Sequence, residues 1–302
     1  MKIMTMNTHS LVESDFETKR EWFAEMILKE QPDILAMQEV NQTAAAMPAM
    51  QLAGFVSCKG AEDVVVREDN YAAWLAQRLR REGLEYDWTW IPAKLGYGKY
   101  DEGMAVFSIR PIQKTEQFFT SKSRDYNNWK TRKVLGVQVE EIWYYTVHMG
   151  WWDDEEEPFV SQWSRLEERL HHKKQEAKPV WLLGDFNSSA KVRGQGYDMV
   201  RLSDWRDTYV DAMNKDRGIT VGAVIDGWRE QASELTGEKK PGMRLDYIFS
   251  SRPVDVKSSM VICNGLNYEV VSDHYGVVVE TNSAGTKSPE TGCCSFDLIS
   301  CK

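Results

Sequence analysis

The run Val180-Trp181-Leu182-Leu183-Gly184-Asp185-Phe186-Asn187 joins four large apolar residues to a glycine, a carboxylate and an amide. A short apolar run bounded by turn-forming residues reads as a buried strand. The spacing therefore predicts a strand over 179–184 that delivers Asp185 and Asn187 just past its end. Working outward, the same arrangement recurs. Asn7 follows an apolar run over 2–6, Glu39 follows Asp33-Ile34-Leu35-Ala36-Met37-Gln38, and His148 follows Trp143-Tyr144-Tyr145-Thr146-Val147. Asp246 stands within Arg244-Leu245-Asp246-Tyr247-Ile248-Phe249, and Asp273 and His274 precede Tyr275-Gly276-Val277-Val278-Val279. A lone Asn or Asp after a strand is commonly a turn residue, and a lone His is commonly a satisfied core group. Turn chemistry does not explain the whole set. Polar groups at one end of several strands converge on a pocket.

Between these strands the pattern changes period. Residues 18–30 place Trp22, Phe23, Met26 and Ile27 on one predicted helix face, ended by Pro32. Further helices are predicted over 69–82 and 158–173. Strands are predicted near 103–108, 112–119, 132–140, 142–148, 244–250, 256–263 and 275–281. Only Glu141 separates 132–140 from 142–148, which argues for a hairpin and against an all-parallel sheet. Alternating helices and strands along the length predict one layered α/β domain. Residues 282–302 shift to Ser, Thr, Gly and Cys, the composition of a disordered tail.

Composition excludes several classes. With 42% hydrophobic and 27% charged residues, the 302-residue chain has enough apolar surface for a core. No run approaches the ~20 apolar residues that cross a bilayer, so no membrane insertion is expected. A net charge of -9 is unlike that of a protein gripping long duplex nucleic acid through a basic face, but does not exclude nucleic acid, since a local basic patch can coexist with a negative total. Cys58 and Cys263 are isolated, Cys293, Cys294 and Cys301 crowd the C-terminus, and no metal-type spacing appears. Reduced thiols in a cytoplasm fit this pattern. The opening Met1–Met6 is too short an apolar run for a signal peptide.

The ordered blocks Met6-Asn7-Thr8-His9, Gln38-Glu39-Val40, Glu102-Gly103-Met104-Ala105-Val106, Val147-His148, Gly184-Asp185-Phe186-Asn187, Leu245-Asp246-Tyr247-Ile248 and Ser272-Asp273-His274-Tyr275 resemble those of the endonuclease/exonuclease/phosphatase (deoxyribonuclease I-like) superfamily. The resemblance spans residues 1–281 as one catalytic domain. It implies a four-layered α/β sandwich with two central mixed sheets flanked by helices. It also implies roles. Glu39 is the principal ligand for Mg²⁺ or Mn²⁺, with Asn7 beside it and Asp273 assisting. Asp185 orients and deprotonates the attacking water, and Asn187 fixes the phosphate. Asp246 pairs with a histidine, His274 contacts the phosphoryl group, and His148 stands across the scissile phosphate. The physics agrees: phosphate esters repel nucleophiles until a cation and imidazolium groups neutralise developing charge.

The family implies a reaction and leaves the substrate open. A small sugar phosphate is favoured by 12 tryptophans, several beside the catalytic blocks: Trp129, Trp151-Trp152 and Trp228. Sugar C–H faces stack on indole. Trp151 and Trp152 are the chosen substrate platform, since adjacent residues point different ways, although core burial is the ordinary fate of Trp. Asn127–Lys133, His148–Trp152 and Ile225–Arg229 resemble the bacterial maltose 6′-phosphate phosphatase subgroup. Arg132 and Lys133 face opposite sides of a predicted strand, and Arg132, with its fork, is the candidate phosphate ligand. The acidic run Asp153–Glu157 reads either as a repeller of polyanions or as the first turn of the following helix. The loop Lys94–Asp101 reads as a cover over substrate or as a plain connector. A deoxyribonuclease-like activity on nucleic acid, a sphingomyelinase-like activity and a non-enzymatic binding role are the alternatives.

Overall fold

Period-two alternation places successive strand residues on opposite faces, and the computed structural model, which describes residues 1–222 and 242–282, uses both faces of each sheet. Among the described residues, one sheet has the order β10-β12-β13-β1-β2-β4-β3. Its strands are Lys2–Asn7 (β1), Ile34–Thr43 (β2), Asp87–Gly96 (β3), Tyr100–Ser108 (β4), Asn214–Lys215 (β10), Val256–Ile262 (β12) and Gly276–Thr281 (β13). The other sheet has the order β5-β6-β7-β8-β11-β9. Its strands are Lys114–Phe119 (β5), Lys133–Val139 (β6), Ile142–His148 (β7), Val180–Asp185 (β8), Arg206–Asp207 (β9) and Asp246–Ser250 (β11). Parallel pairs β1–β2 and β7–β8 sit among antiparallel ones, so both sheets are mixed.

Three apolar clusters define four layers. Ile3, Ile34 and Ala36 of the first sheet meet Leu135, Trp181 and Leu183 of the second between the sheets. On the outer face of the first sheet, Met4, Met6 and Leu35 pack against helices Phe16–Glu30 (α1) and Tyr71–Arg81 (α2) through Phe23, Ile27 and Leu75. On the outer face of the second, Val180 and Leu182 pack against Phe159–Gln175 (α3) through Trp163, Leu166 and Leu170. The expected four-layered α/β sandwich is therefore the fold.

Local chemistry accounts for the boundaries. Asn70 caps α2 by accepting from the Ala73 N–H at 3.0 Å. The β6–β7 hairpin turns on Glu140 and Glu141, both with positive φ, the geometry that matches strand twist. Several expectations need correction. Trp22 is 38% exposed, and the buried face of α1 is Phe23, Ala24, Met26 and Ile27. The strand β3 was not foreseen. The acidic run does not form the first turn of α3, which begins at Phe159. Arg132 lies one residue before β6 rather than on it. Trp228, the Ile225–Arg229 run and the tail from 283 on lie outside the described residues. Among those described, no helix is long and apolar enough to cross a membrane.

Gly184 shows how tightly β8 is set against β7. Its φ is +142°, and a Cβ there would sit 2.1 Å from the Val147 carbonyl oxygen. Gly184→Ala combines backbone strain with a clash against a main chain that cannot move alone. The expected loss is about 2–5 kcal/mol, read as a lower urea midpoint. A midpoint equal to that of the parent would show that the two strands separate freely.

Candidate active site

Strand register assembles the site. In the parallel pair β7–β8, His148 lies opposite Asp185; in the antiparallel pair β8–β11, Asp246 lies opposite Asp185. On the other sheet Asn7, the last residue of β1, pairs with Gln38. Glu39 then breaks the β2–β4 ladder at a register shift between Met37 and Val40, with φ 52°. A bulge of this kind re-aims a side chain out of the pleat, here towards the ends of β7 and β8.

One carboxylate oxygen organises the centre. Asp185 Oδ2 accepts from Asn7 Nδ2 at 3.2 Å and lies 3.7 Å from His148 Nε2 and 3.8 Å from His274 Nε2. Asp185 Oδ1 accepts from the Asn187 N–H at 2.8 Å. Asn187 Nδ2 donates to the Met149 carbonyl at 2.9 Å. Asn7 Nδ2 also donates to Glu39 Oε1 at 2.9 Å, and Asn7 Oδ1 accepts from the His9 N–H at 3.3 Å. Asn7 thus joins the carboxylates of two sheets. Behind His274, Asp246 Oδ2 lies 2.9 Å from His274 Nδ1.

These contacts set protonation. Burial, partly offset by His274, lifts Asp185 to about 7. Burial works against a charged His274, but Asp246 and then Asp185 outweigh it and hold the ring's pKa well above the ordinary value. Burial, with Arg132 and Lys94 nearby, pushes His148 well below that value and keeps it neutral. Burial and then Glu102 push the Glu39 carboxyl up, against the pull of His9. The contacts favour a charged His274 and a neutral His148 and raise the Asp185 carboxyl.

A cleft of about 360 Å³ opens over this centre, lined by Glu39, His148, Asp185, Asn187, Asp273 and His274 among others. Arg132 and Trp151 also line it. Trp152 does not join them: it turns to pack against Phe159, with ring centroids 6.3 Å apart. Trp129 stands in its place, 5.4 Å from the Trp151 ring. His9 and Glu102, to which the sequence reading gave no role, also line the cleft, as do Lys94 and Tyr97 of the loop read as a cover or a connector. Lys94 and Glu102 are register partners across the β3–β4 hairpin and form an ion pair at 3.1 Å. The Lys94–Asp101 segment is the tip of this hairpin, and its Gly96 and Tyr97 form cleft wall. A run of hairpin residues ending in Leu95-Gly96-Tyr97-Gly98 was the available signal for it.

Among the described residues, two groups of acidic and histidine side chains are close enough to share an ion: His9, Glu13 and Asp273, and Asp185, Asp246 and His274. Each is already linked internally. His9 Nδ1 lies 2.7 Å from Glu13 Oε1, and Lys19 Nζ donates to Glu13 Oε2 at 2.5 Å. The carboxylates of Glu39, Glu102 and Asp273 face the cleft with no thiolate among its lining residues. Burial first, and then repulsion from Glu102 and Asp273, raise Glu39; a hard divalent cation relieves both, and an oxygen donor set fits one.

Strand-end carboxylates, a buried Asp–His pair and buried cations, carried on two packed mixed sheets, form a site suited to phosphoester hydrolysis. The chain belongs to the endonuclease/exonuclease/phosphatase family, whose model matches residues 4–274. The family is generally dependent on divalent metal. A solved endonuclease/exonuclease/phosphatase family protein from Leptotrichia buccalis is 32% identical with TM-score 0.77, covering 93% of this chain and 99% of its own. A mannosyl-6-phosphatase from Bacteroides thetaiotaomicron is 17% identical with TM-score 0.59, covering 93% of this chain and 99% of its own. A 3′ phosphatase from Neisseria bound to a product DNA hairpin is 18% identical with TM-score 0.58, covering 93% and 99%. At the last two identities the likeness is one of fold. No curated protein matches the chain.

Proposed function

We propose that this protein is a Mg²⁺- or Mn²⁺-dependent phosphomonoesterase acting on a small sugar phosphate. The observation that carries the reading is the shape and lining of the cleft. It is a pocket of about 360 Å³ with two buried cations, Lys94 and Arg132, among its catalytic residues, and two indoles at its edge. This suits a compact anion attached to a ring. The resemblance to a maltose 6′-phosphate phosphatase subgroup and the fold shared with a mannosyl-6-phosphatase support the same class. The buried free thiols of Cys58 and Cys263 suit a cytoplasmic enzyme.

The residues divide the work as follows. Glu39 and Asp273, with Asn7 fixing the Glu39 carboxylate, would hold the ion. A bound divalent ion supplies positive charge against phosphate oxygens and the leaving group. Asp185 accepts the proton of the attacking water, a task suited to a carboxyl lifted to about 7. Asn187, whose N–H fixes Asp185, helps hold the phosphate in line. Imidazolium His274, kept charged by Asp246, faces the phosphoryl oxygens. Neutral His148 borders the opposite side. Arg132 adds the charge that a dianionic monoester needs and a monoanionic diester needs less; the charge of Lys94 is shared with Glu102 at 3.1 Å.

A phosphate-release screen with Mg²⁺ tests this reading. Turnover is expected on maltose 6′-phosphate or hexose 6-phosphates above that on nucleotides and inositol phosphates, with plasmid nicking and sphingomyelin hydrolysis at background. Robust plasmid cleavage with no phosphate released from any sugar phosphate would promote the deoxyribonuclease-like alternative.

A further inference from the structure

At the edge of the cleft, Trp129 and Trp151 meet with ring planes 55° apart. Trp151 packs against Val221, Met243 and Leu245. Trp129 is 48% exposed, yet the chain carrying it is fastened from both directions. Lys94 Nζ and Arg132 Nη1 both donate to the Trp129 carbonyl, at 2.9 and 2.8 Å. Lys130 Nζ pairs with Asp154 at 2.9 Å and lies 5.5 Å from the centroid of the Trp129 ring. Asn128 Nδ2 donates to Glu156 Oε1 at 2.8 Å. The N–H groups of Lys122 and Ser123 donate to the Glu157 carboxylate at 2.9 and 2.6 Å. Asp154, Glu156 and Glu157 of the acidic run therefore clamp the loop 121–131 against the cleft. Three of the run's five carboxylates are thus engaged with that loop, while Asp153 and Glu155 stay exposed.

We propose that Trp129, backed by Trp151, is the residue that sets substrate specificity, by stacking a pyranose ring of the part of the substrate that does not react. The proposal rests on the sugar-phosphate reading above and deepens it. Two geometric facts support it. The cations that hold the Trp129 carbonyl themselves line the cleft with Glu39 and His148, so the indole stands at a fixed offset from the place of the phosphate. The clamp also holds an exposed indole in position before any ligand arrives, which removes much of the ordering cost of binding. Sugar rings present C–H faces that stack on indole, and a glycosyl phosphate places such a face a short distance from its phosphate.

The test compares kcat/KM for glucose 6-phosphate, for glycerol 2-phosphate, which has no ring, and for a 5′-mononucleotide, in the parent and in Trp129→Ala. The ratio of the glucose 6-phosphate to the glycerol 2-phosphate value is expected to fall about 5- to 100-fold, by analogy with losing one base-stacking aromatic. The fall should lie in KM, and Trp129→Phe should recover most of it. An unchanged ratio, in a parent that hydrolyses glucose 6-phosphate, overturns the assignment of Trp129 and leaves the sugar-phosphate reading standing. A fall seen only for the nucleotide overturns it in favour of a base-stacking platform. A parent that hydrolyses glycerol 2-phosphate but no sugar phosphate overturns the sugar reading itself, and this inference with it.

Discussion

Chelation with EDTA is expected to bring phosphate release to background, and Mg²⁺ or Mn²⁺ added back in excess to restore it. Glu39→Gln should leave the enzyme slow even at saturating Mg²⁺, by at least the roughly 10–100-fold that follows from losing a group merely supporting a ligand. Stability should move the other way. The Glu39 carboxyl is pushed up by burial and by Glu102, so its charge is held at a cost in the metal-free fold. Glutamine removes that repulsion and keeps an oxygen for Asn7 Nδ2, which now reaches Glu39 Oε1 at 2.9 Å. Unfolding of metal-free Glu39→Gln is therefore expected at the parent's midpoint or above it, as when a strained functional group is neutralised. Full turnover by chelated parent protein would remove the ion from the reaction. A Glu39→Gln protein as active as the parent would move the ion's principal ligand elsewhere.

Asp185→Asn is expected to lower kcat by about 10²–10⁴-fold, the usual contribution of a positioned acid or base. The amide retains an oxygen, for either the Asn187 N–H or Asn7 Nδ2, and turns a donor towards the other. That mismatch should cost about 1–3 kcal/mol of stability, so the kinetic comparison belongs at a temperature where both proteins are fully folded. Circular dichroism sets that temperature. If the folded variant keeps kcat within tenfold of the parent, Asp185 is not the base. The next candidate is then His148, which burial and the neighbouring Arg132 and Lys94 keep neutral and able to accept a proton.

The positions of the candidate catalytic residues were legible because they sit where strand chemistry is regular, while their proposed roles came from the resemblance of the blocks. A strand's alternation fixes which residues are buried, and register carries that order across a sheet. Once β8 is read from Val180 to Gly184, Asp185 can only emerge at its end, opposite His148 on one side and Asp246 on the other. Asn7 and the pair Asp273–His274 obey the same rule at the ends of β1 and before β13. Glu39 is a partial exception. Its place after an apolar run was readable, while the bulge that turns it into the cleft belongs to the pairing of β2 with β4.

The cleft's outer residues were decided by tertiary structure. Trp151 and Trp152 are neighbours in sequence, but α3 draws Trp152 onto Phe159 and leaves its expected place to Trp129. Lys94 and Glu102 become a buried pair only through the register of a hairpin whose first strand has no clean alternation. The acidic run reads as exposed charge in isolation; its fate depends on Lys130, Asn128 and the N–H groups of Lys122 and Ser123, 24 to 35 residues away along the chain. The layered fold and the polar residues at the strand ends were therefore readable from the amino-acid order, because burial and register are periodic. Only the tertiary structure decided which indole, which cation and which acid border the cleft, because those choices rest on single long-range contacts between loops that no period announces.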